Sequence, residues 1–155
     1  MEFVVDVETT GLDPLSHRII CIGIGTLDEN IWVLYHPKEK KMLKDFWKAV
    51  KKYEIDTLVG FNLEFDYRFL LLRSLKYDIA IPKRLKLVDI REILMIRNAS
   101  LKRLARFLGI GNHDRVSGYD VPELYEKKKI EDIINHVRSD VDLTLGIYLK
   151  IRDLI

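Results

Sequence analysis

The stretch "FVVDVETTGLDP", residues 3–14, sets two acids inside what otherwise reads as an apolar β-strand. Phe3, Val4, Val5 and Val7 are β-formers, and Thr9, Thr10, Gly11 and Pro14 close the run, so the segment predicts a strand and then a turn. Side chains alternate along a strand, which puts Asp6 and Glu8 on one face. Two buried carboxylates on one face repel each other and are costly without partners. The pattern therefore calls for something positive against them, either a basic side chain or a metal ion.

Working outward, "RIICIGIGTL" (18–27) and "NIWVLYHP" (30–37) predict two more strands joined by a short turn at "DEN". In "KMLKDFWKAVKKY" (41–53), Leu43, Phe46, Trp47, Val50 and Tyr53 recur at helical spacing among lysines, which predicts an amphipathic helix with a solvated lysine face. A strand at "TLVGF" (57–61), a helix at "EFDYRFLLLRSLKY" (64–77) and a strand at "LKLVDI" (85–90) follow. Asp89 there reads as a helix N-cap. Further helices are expected from "SLKRLARFLGI" (100–110), with a Ser cap and a Gly stop, from "DVPELYEKKK" (120–129), and from about Ile130 onward. The expected fold class is α/β: a mixed five-stranded sheet, made of a three-stranded antiparallel meander plus two further strands, flanked by helices. Residues 109–120 read as a mobile loop.

With 155 residues, 48% of them hydrophobic, the chain is expected to form a single domain over residues 1–155. No run of about 18 apolar residues and no signal-type segment is visible, so the expectation is a soluble, cytoplasmic protein without a membrane partner. A net charge of +2 does not by itself point to nucleic acid. The single cysteine, Cys21, lies in an apolar run and reads as a core residue; disulfides and cysteine zinc sites are excluded.

Three more acids and a histidine bear on the opening question. Asp66 precedes Phe69 and Leu70 by three and four residues, which places it on their inward stripe, or else in a first turn where it complements the helix dipole. Asn62 is placed either to cap that helix or to orient the acid. On a helical wheel of the last helix, Asp140 falls at the edge of the apolar side one turn after His136, whereas Asp142 falls on the polar side. No Lys or Arg is expected at a comparable inward position. Asp6, Glu8, Asp66 and Asp140 are thus four inward acids on three elements, and such hard oxygen donors suit a pair of Mg²⁺ or Mn²⁺ ions of the kind that serve phosphoryl transfer.

With those residues assembled, the chain resembles the DEDD superfamily of 3′-5′ exonucleases, which carry a ribonuclease-H-like fold. "DVETTGL" resembles the first motif, "GFNLEFD" the second and "HVRSD" the third, in the right order across the chain. The "GxNxxFD" form and the "SLKRLARFLGI" segment are closest to the proofreading domain of family B DNA polymerases and its stand-alone relatives. The resemblance implies Asp6, Glu8, Asp66 and Asp140 as metal-holding catalytic acids. It implies His136 as the residue that handles the proton of the attacking water. By similarity, Leu12 wedges against the terminal base, the backbone near Thr9 and Thr10 meets the 3′ end, and Asn62 joins the substrate-binding group. One departure stands out: His136 lies four positions before Asp140, the residue of one subclass at the spacing of the other.

The expected activity is metal-dependent 3′-5′ hydrolysis at ends of single-stranded DNA or RNA, with proofreading in trans, repair, trimming and scavenging all open as pathways and any polymerase or repair partner unspecified. Two rivals are an aspartyl-phosphate phosphatase, which normally wants Asp where this chain has Glu8, and a binding module with a structural ion. Lys83–Lys86, Lys102–Arg106 and Lys127–Lys129 are candidate backbone-tracking stretches. Aromatic residues are too scattered in sequence to name a stacking platform.

Overall fold

The acid-bearing segment forms β1 (Glu2–Thr9), the central strand of a five-stranded sheet in the computed structural model, which describes residues 1–111 and 116–155. Its neighbours are β2 (Ile19–Gly25), antiparallel, and β4 (Thr57–Gly60), parallel; β3 (Ile31–Tyr35) and β5 (Lys86–Asp89) form the edges in the order β3-β2-β1-β4-β5. The mixed sheet and the antiparallel meander agree with the sequence expectation. The 26–30 turn closes the β2–β3 hairpin through Thr26 N–H to Asn30 O at 3.0 Å, and Glu29 takes the positive φ it needs.

Period-two alternation sorts β1 between two layers. Phe3, Val5 and Val7 pack with α1 (Glu39–Lys52) and α2 (Leu63–Lys76), while Val4 faces the other layer with α4 (Leu101–Phe107) and α6 (Ile130–Ile151). Asp6 and Glu8 share the face of Val4, toward α6. That helix packs directly on β2, which presents glycines to it. A Cβ on Gly23, the register partner of Asp6, would lie 2.6 Å from Val141 Cγ2 and 3.0 Å from Val137 Cγ2. The missing side chain lets the helix settle on the strand pair, and His136 and Asp140 ride in with Val137 and Val141.

The shorter helices are fixed by caps that the sequence announced. Ser100 Oγ accepts from Arg103 N–H at 3.2 Å to open α4, and Gly109 at φ +74° follows its end. Asp89 caps α3 (Ile90–Ile93), accepting from Arg91 N–H at 2.9 Å. Within residues 109–120, a 3₁₀ turn at Gly118–Asp120 leads into α5 (Val121–Glu126); residues 112–115 of the expected mobile loop lie outside the described residues.

One expectation is overturned. Arg73 is buried on α2, where no inward cation was foreseen. It donates to both carboxylate oxygens of Glu39 on α1, at 2.6 and 3.0 Å, and to the carbonyl of Pro14 at 3.1 Å. The planar fork matches a carboxylate, which makes burial of the charge tolerable. Arg73 thereby holds the loop after β1 and is not a counter-charge for the strand acids. Among the described residues no helix is long and apolar enough to cross a membrane.

Candidate active site

The four acids meet at the C-terminal end of β1. The β1–β4 ladder runs only from Glu2–Thr57 to Val4–Val59, so the N–H of Val7 lies beyond it. A buried amide needs an acceptor. Asp66 Oδ1 supplies one at 2.9 Å, and this reaches the carboxylate of α2, only 3% exposed, across the end of the strand. Asp66 is therefore inward, as its place on the helical stripe predicts.

The start of α2 is capped by another residue. Asn62 sits in the left-handed region at φ +60° and makes no side-chain cap; its N–H and that of Leu63 donate to Asp89 Oδ1 and Oδ2 at 3.0 and 2.8 Å. Asp89 thus serves two helix starts, α2 and α3. Its link to α2 was missed because a cap supplied from 26 and 27 residues away leaves no local sequence pattern.

On the opposite side of β1, His136 is almost fully buried and turns Nε2 between two carboxylates. Glu8 Oε1 lies at 3.3 Å and Asp140 Oδ2 at 3.4 Å. One donor atom each from Glu8, His136 and Asp140 fall within 4.8 Å of one another. Asp142, by contrast, is exposed.

The electrostatics are those of crowded like charges. Burial first, and then the charges of Asp66, Glu8 and Asp140, push the Asp6 carboxyl well above its ordinary range. Burial likewise lifts Asp66 to about 8, with the Val7 N–H pulling it down and Asp89 and Asp140 pushing it up. Asp6 Oδ2 is a buried atom with no hydrogen-bond partner among the described residues. An orphaned carboxylate oxygen amid hard oxygen donors is the environment a small divalent cation fits, so Asp6, Glu8, Asp66 and Asp140 suit Mg²⁺ or Mn²⁺.

Two cavities open on the acids. One of 390 Å³ is lined by Asp6, Asp66 and Asp140 with Arg91, Arg97 and Asn98. The other, of 570 Å³, is lined by Glu8, His136 and Asp140 with Thr9, Leu12, Asn62, Phe65, Lys102 and Tyr119. Thr9 Oγ1 donates to Gly11 O at 2.6 Å, and Thr10 Oγ1 accepts from Arg18 N–H at 3.1 Å, shaping the loop that presents an exposed Leu12. Of the basic stretches, Lys102 lines the second cavity. Lys86 pairs with Thr57, register partner of Glu2, and so lies at the far end of the sheet. Lys127 pairs with Glu123 at 2.6 Å. Arg91 and Arg97 were not foreseen; Arg91 stands on α3 itself and Arg97 follows the turn after it, where Met95 takes φ +54° and Arg91 bonds back to Arg97 O.

A family model described as the RNase_H superfamily matches residues 3–151. An uncharacterized protein of Methanocaldococcus jannaschii is 36% identical, over 94% of this chain and 92% of its own length. A DNA polymerase of Archaeoglobus fulgidus is 28% identical over 92% of this chain but only 21% of its own length. The structure of the family B DNA polymerase from the hyperthermophilic archaeon Pyrobaculum calidifontis superposes with a TM-score of 0.84 at 21% identity, covering 97% of this chain and 24% of that one. The chain thus spans about a quarter or less of either polymerase.

Proposed function

Starting from the RNase_H superfamily, to which the chain belongs, we propose that it is a metal-dependent 3′-5′ exonuclease that hydrolyses the terminal phosphodiester of single-stranded nucleic acid, DNA in preference to RNA. The observation that carries this is the acid cluster itself. Asp6, Glu8, Asp66 and Asp140 converge from β1, α2 and α6, with the Asp6 carboxyl pushed up by burial and then by its neighbours, and one of its oxygens buried without a hydrogen-bond partner among the described residues. A fold keeps such repulsion where a function uses it. The likeness to two DNA polymerases supports a nucleic-acid substrate, and the three motifs support attack at a 3′ end.

The four acids would hold two divalent ions, which when bound supply Lewis acidity toward the phosphate oxygens. The remaining work falls to the chain. The Val7 N–H fixes Asp66, and Glu8 with Asp140 fixes the imidazole of His136 through Nε2. His136 handles the proton of the attacking water as the P–O bond to the penultimate 3′ oxygen breaks. The products are a 5′-mononucleotide and a strand one residue shorter with a free 3′-OH. The 570 Å³ cavity beside His136 takes the terminal nucleoside.

Incubation with 5′-labelled and 3′-labelled DNA and RNA strands, with Mg²⁺ or Mn²⁺ and with excess chelator, tests this directly. The 5′-labelled strand should shorten as a descending ladder, and the 3′-labelled strand should release labelled mononucleotide first. Internal cuts, release from the 5′ end, or full hydrolysis in chelator would overturn it. No hydrolysis of any strand would favour a binding module.

A further inference from the structure

We propose that Tyr119 is the surface on which the terminal base of the substrate strand stacks; this rests on the proposed action at a nucleic-acid 3′ end. An exposed tyrosine alone is ordinary. Tyr119 differs in where it stands and how it is mounted. It is 94% exposed, yet it lines the same cavity as Glu8, His136 and Asp140, together with Leu12 and Phe65.

Its backbone is held on every side. Ser117 Oγ accepts from Tyr119 N–H at 3.1 Å, and Asp120 Oδ2 accepts from Ser117 N–H at 2.9 Å, a reciprocal box that fixes the 3₁₀ turn. On the chain before it, Lys102 of α4 donates to the carbonyl of Val116. On the chain after it, Val121 is 1% exposed and packs with Ile20, Cys21, Ile133 and Val137. An aromatic ring is thus set out in solvent on a rigid base, two residues from the core.

The chemistry of such a mount favours a flat, apolar, sequence-tolerant ligand. Every nucleobase has a π-face, and stacking on a ring whose backbone is already ordered loses little further freedom. Stacking at Tyr119 therefore holds a terminal nucleotide without reading sequence. Phe65 and Tyr119, far apart in sequence, are brought to one cavity by the fold.

The test uses the full chain. Binding of a fluorescently labelled single strand is measured by anisotropy in chelator, and degradation is followed with Mn²⁺. Tyr119→Ala and Tyr119→Leu should weaken binding and raise KM by about 5- to 150-fold, with kcat essentially unchanged. Tyr119→Phe and Tyr119→Trp should keep wild-type affinity. On a strand ending in an abasic nucleotide, wild type and Tyr119→Ala should bind alike. Equal affinity of Tyr119→Leu and wild type on the normal strand would overturn the proposal. So would a loss in Tyr119→Phe as large as in Tyr119→Ala, or a loss that persists on the abasic strand. If wild type shortens no 3′ end while the binding difference remains, the proposed activity fails and the stacking surface stands.

Discussion

Replacing Asp66 by Asn should stabilise the metal-free protein while abolishing most of its activity, and the gain should grow with pH. Asn keeps an oxygen that can accept from the Val7 N–H, now at 2.9 Å, and removes only the charge. In the wild type this carboxyl is held near 8, against about 3.9 for an unfolded chain. The folded state therefore carries the extra proton between about pH 4 and pH 8, so stability falls as pH rises through that window and is level on either side. A difference of about four between the two values, at roughly 1.4 kcal/mol each, sets a ceiling of about 6 kcal/mol above pH 8. Protonation of Asp6 in its place relieves part of the repulsion, so the expected gain of Asp66→Asn is about 2–5 kcal/mol at pH 8.5 and about zero at pH 4. Asp66→Ala supplies the control, because it strands a buried N–H and should be less stable than Asp66→Asn by about 1–3 kcal/mol at every pH. Urea unfolding in chelator at several pH values measures all three. Added Mn²⁺ should stabilise wild type and not Asp66→Asn. If Asp66→Asn is less stable than wild type by the same amount at pH 4 and pH 8.5, the carboxyl is a structural cap and the charge argument fails.

The remaining expectations concern position and packing. Gly23→Ala puts a methyl 2.6 Å from Val141 Cγ2, which should cost about 1–3 kcal/mol by overpacking and reduce turnover by about 10²-fold as α6 carries His136 away from Glu8; a stability loss with turnover intact would separate the packing from the site. His136→Ala should lower kcat by about 10²- to 10⁴-fold with little change in the Mn²⁺ affinity read by thermal shift. His136→Tyr decides the role: recovery of most of the lost activity assigns water orientation, and none assigns proton acceptance to the imidazole. Glu39→Ala leaves Arg73 buried without its carboxylate and should destabilise by about 3–5 kcal/mol, whereas the double change Glu39→Leu with Arg73→Met should cost less, as denaturant midpoints will show.

Much of the fold was legible because its signals are local. The meander, the Ser100 cap, the Gly109 stop and the β5 strand ending at Asp89 each depend on residues within a few positions of one another. The inward placement of Asp66 and Asp140 was also legible, since helical period alone puts each beside an apolar stripe. What escaped was whatever depends on two distant segments meeting. Arg73 reads as a helical cation until Glu39 and the Pro14 carbonyl are seen around it, 34 and 59 residues away. Arg97 and Tyr119 come to the cavities beside the acids through the turns at Met95 and Ser117, and Arg91 from the short helix α3; such turns have no periodicity to read.

The arrangement also explains why the acids belong to this strand and this end of it. β1 is paired with β2 from Val4 to Thr9 but with β4 only from Glu2 to Val4. Beyond that point the strand has lost one neighbour, so a side chain from α2 can enter where a sixth residue of β4 would otherwise lie. Asp66 fills that opening and takes up the Val7 N–H, which ties the acid to a backbone position between Asp6 and Glu8. On the other face, Gly23 and Gly25 remove the side chains that would hold α6 off, and the helix brings His136 and Asp140 to the same two strand acids. Each device leaves a local deficit, a short ladder on one side and bare glycines on the other. Together they make a strand end reachable from both layers, which neither helix could supply alone.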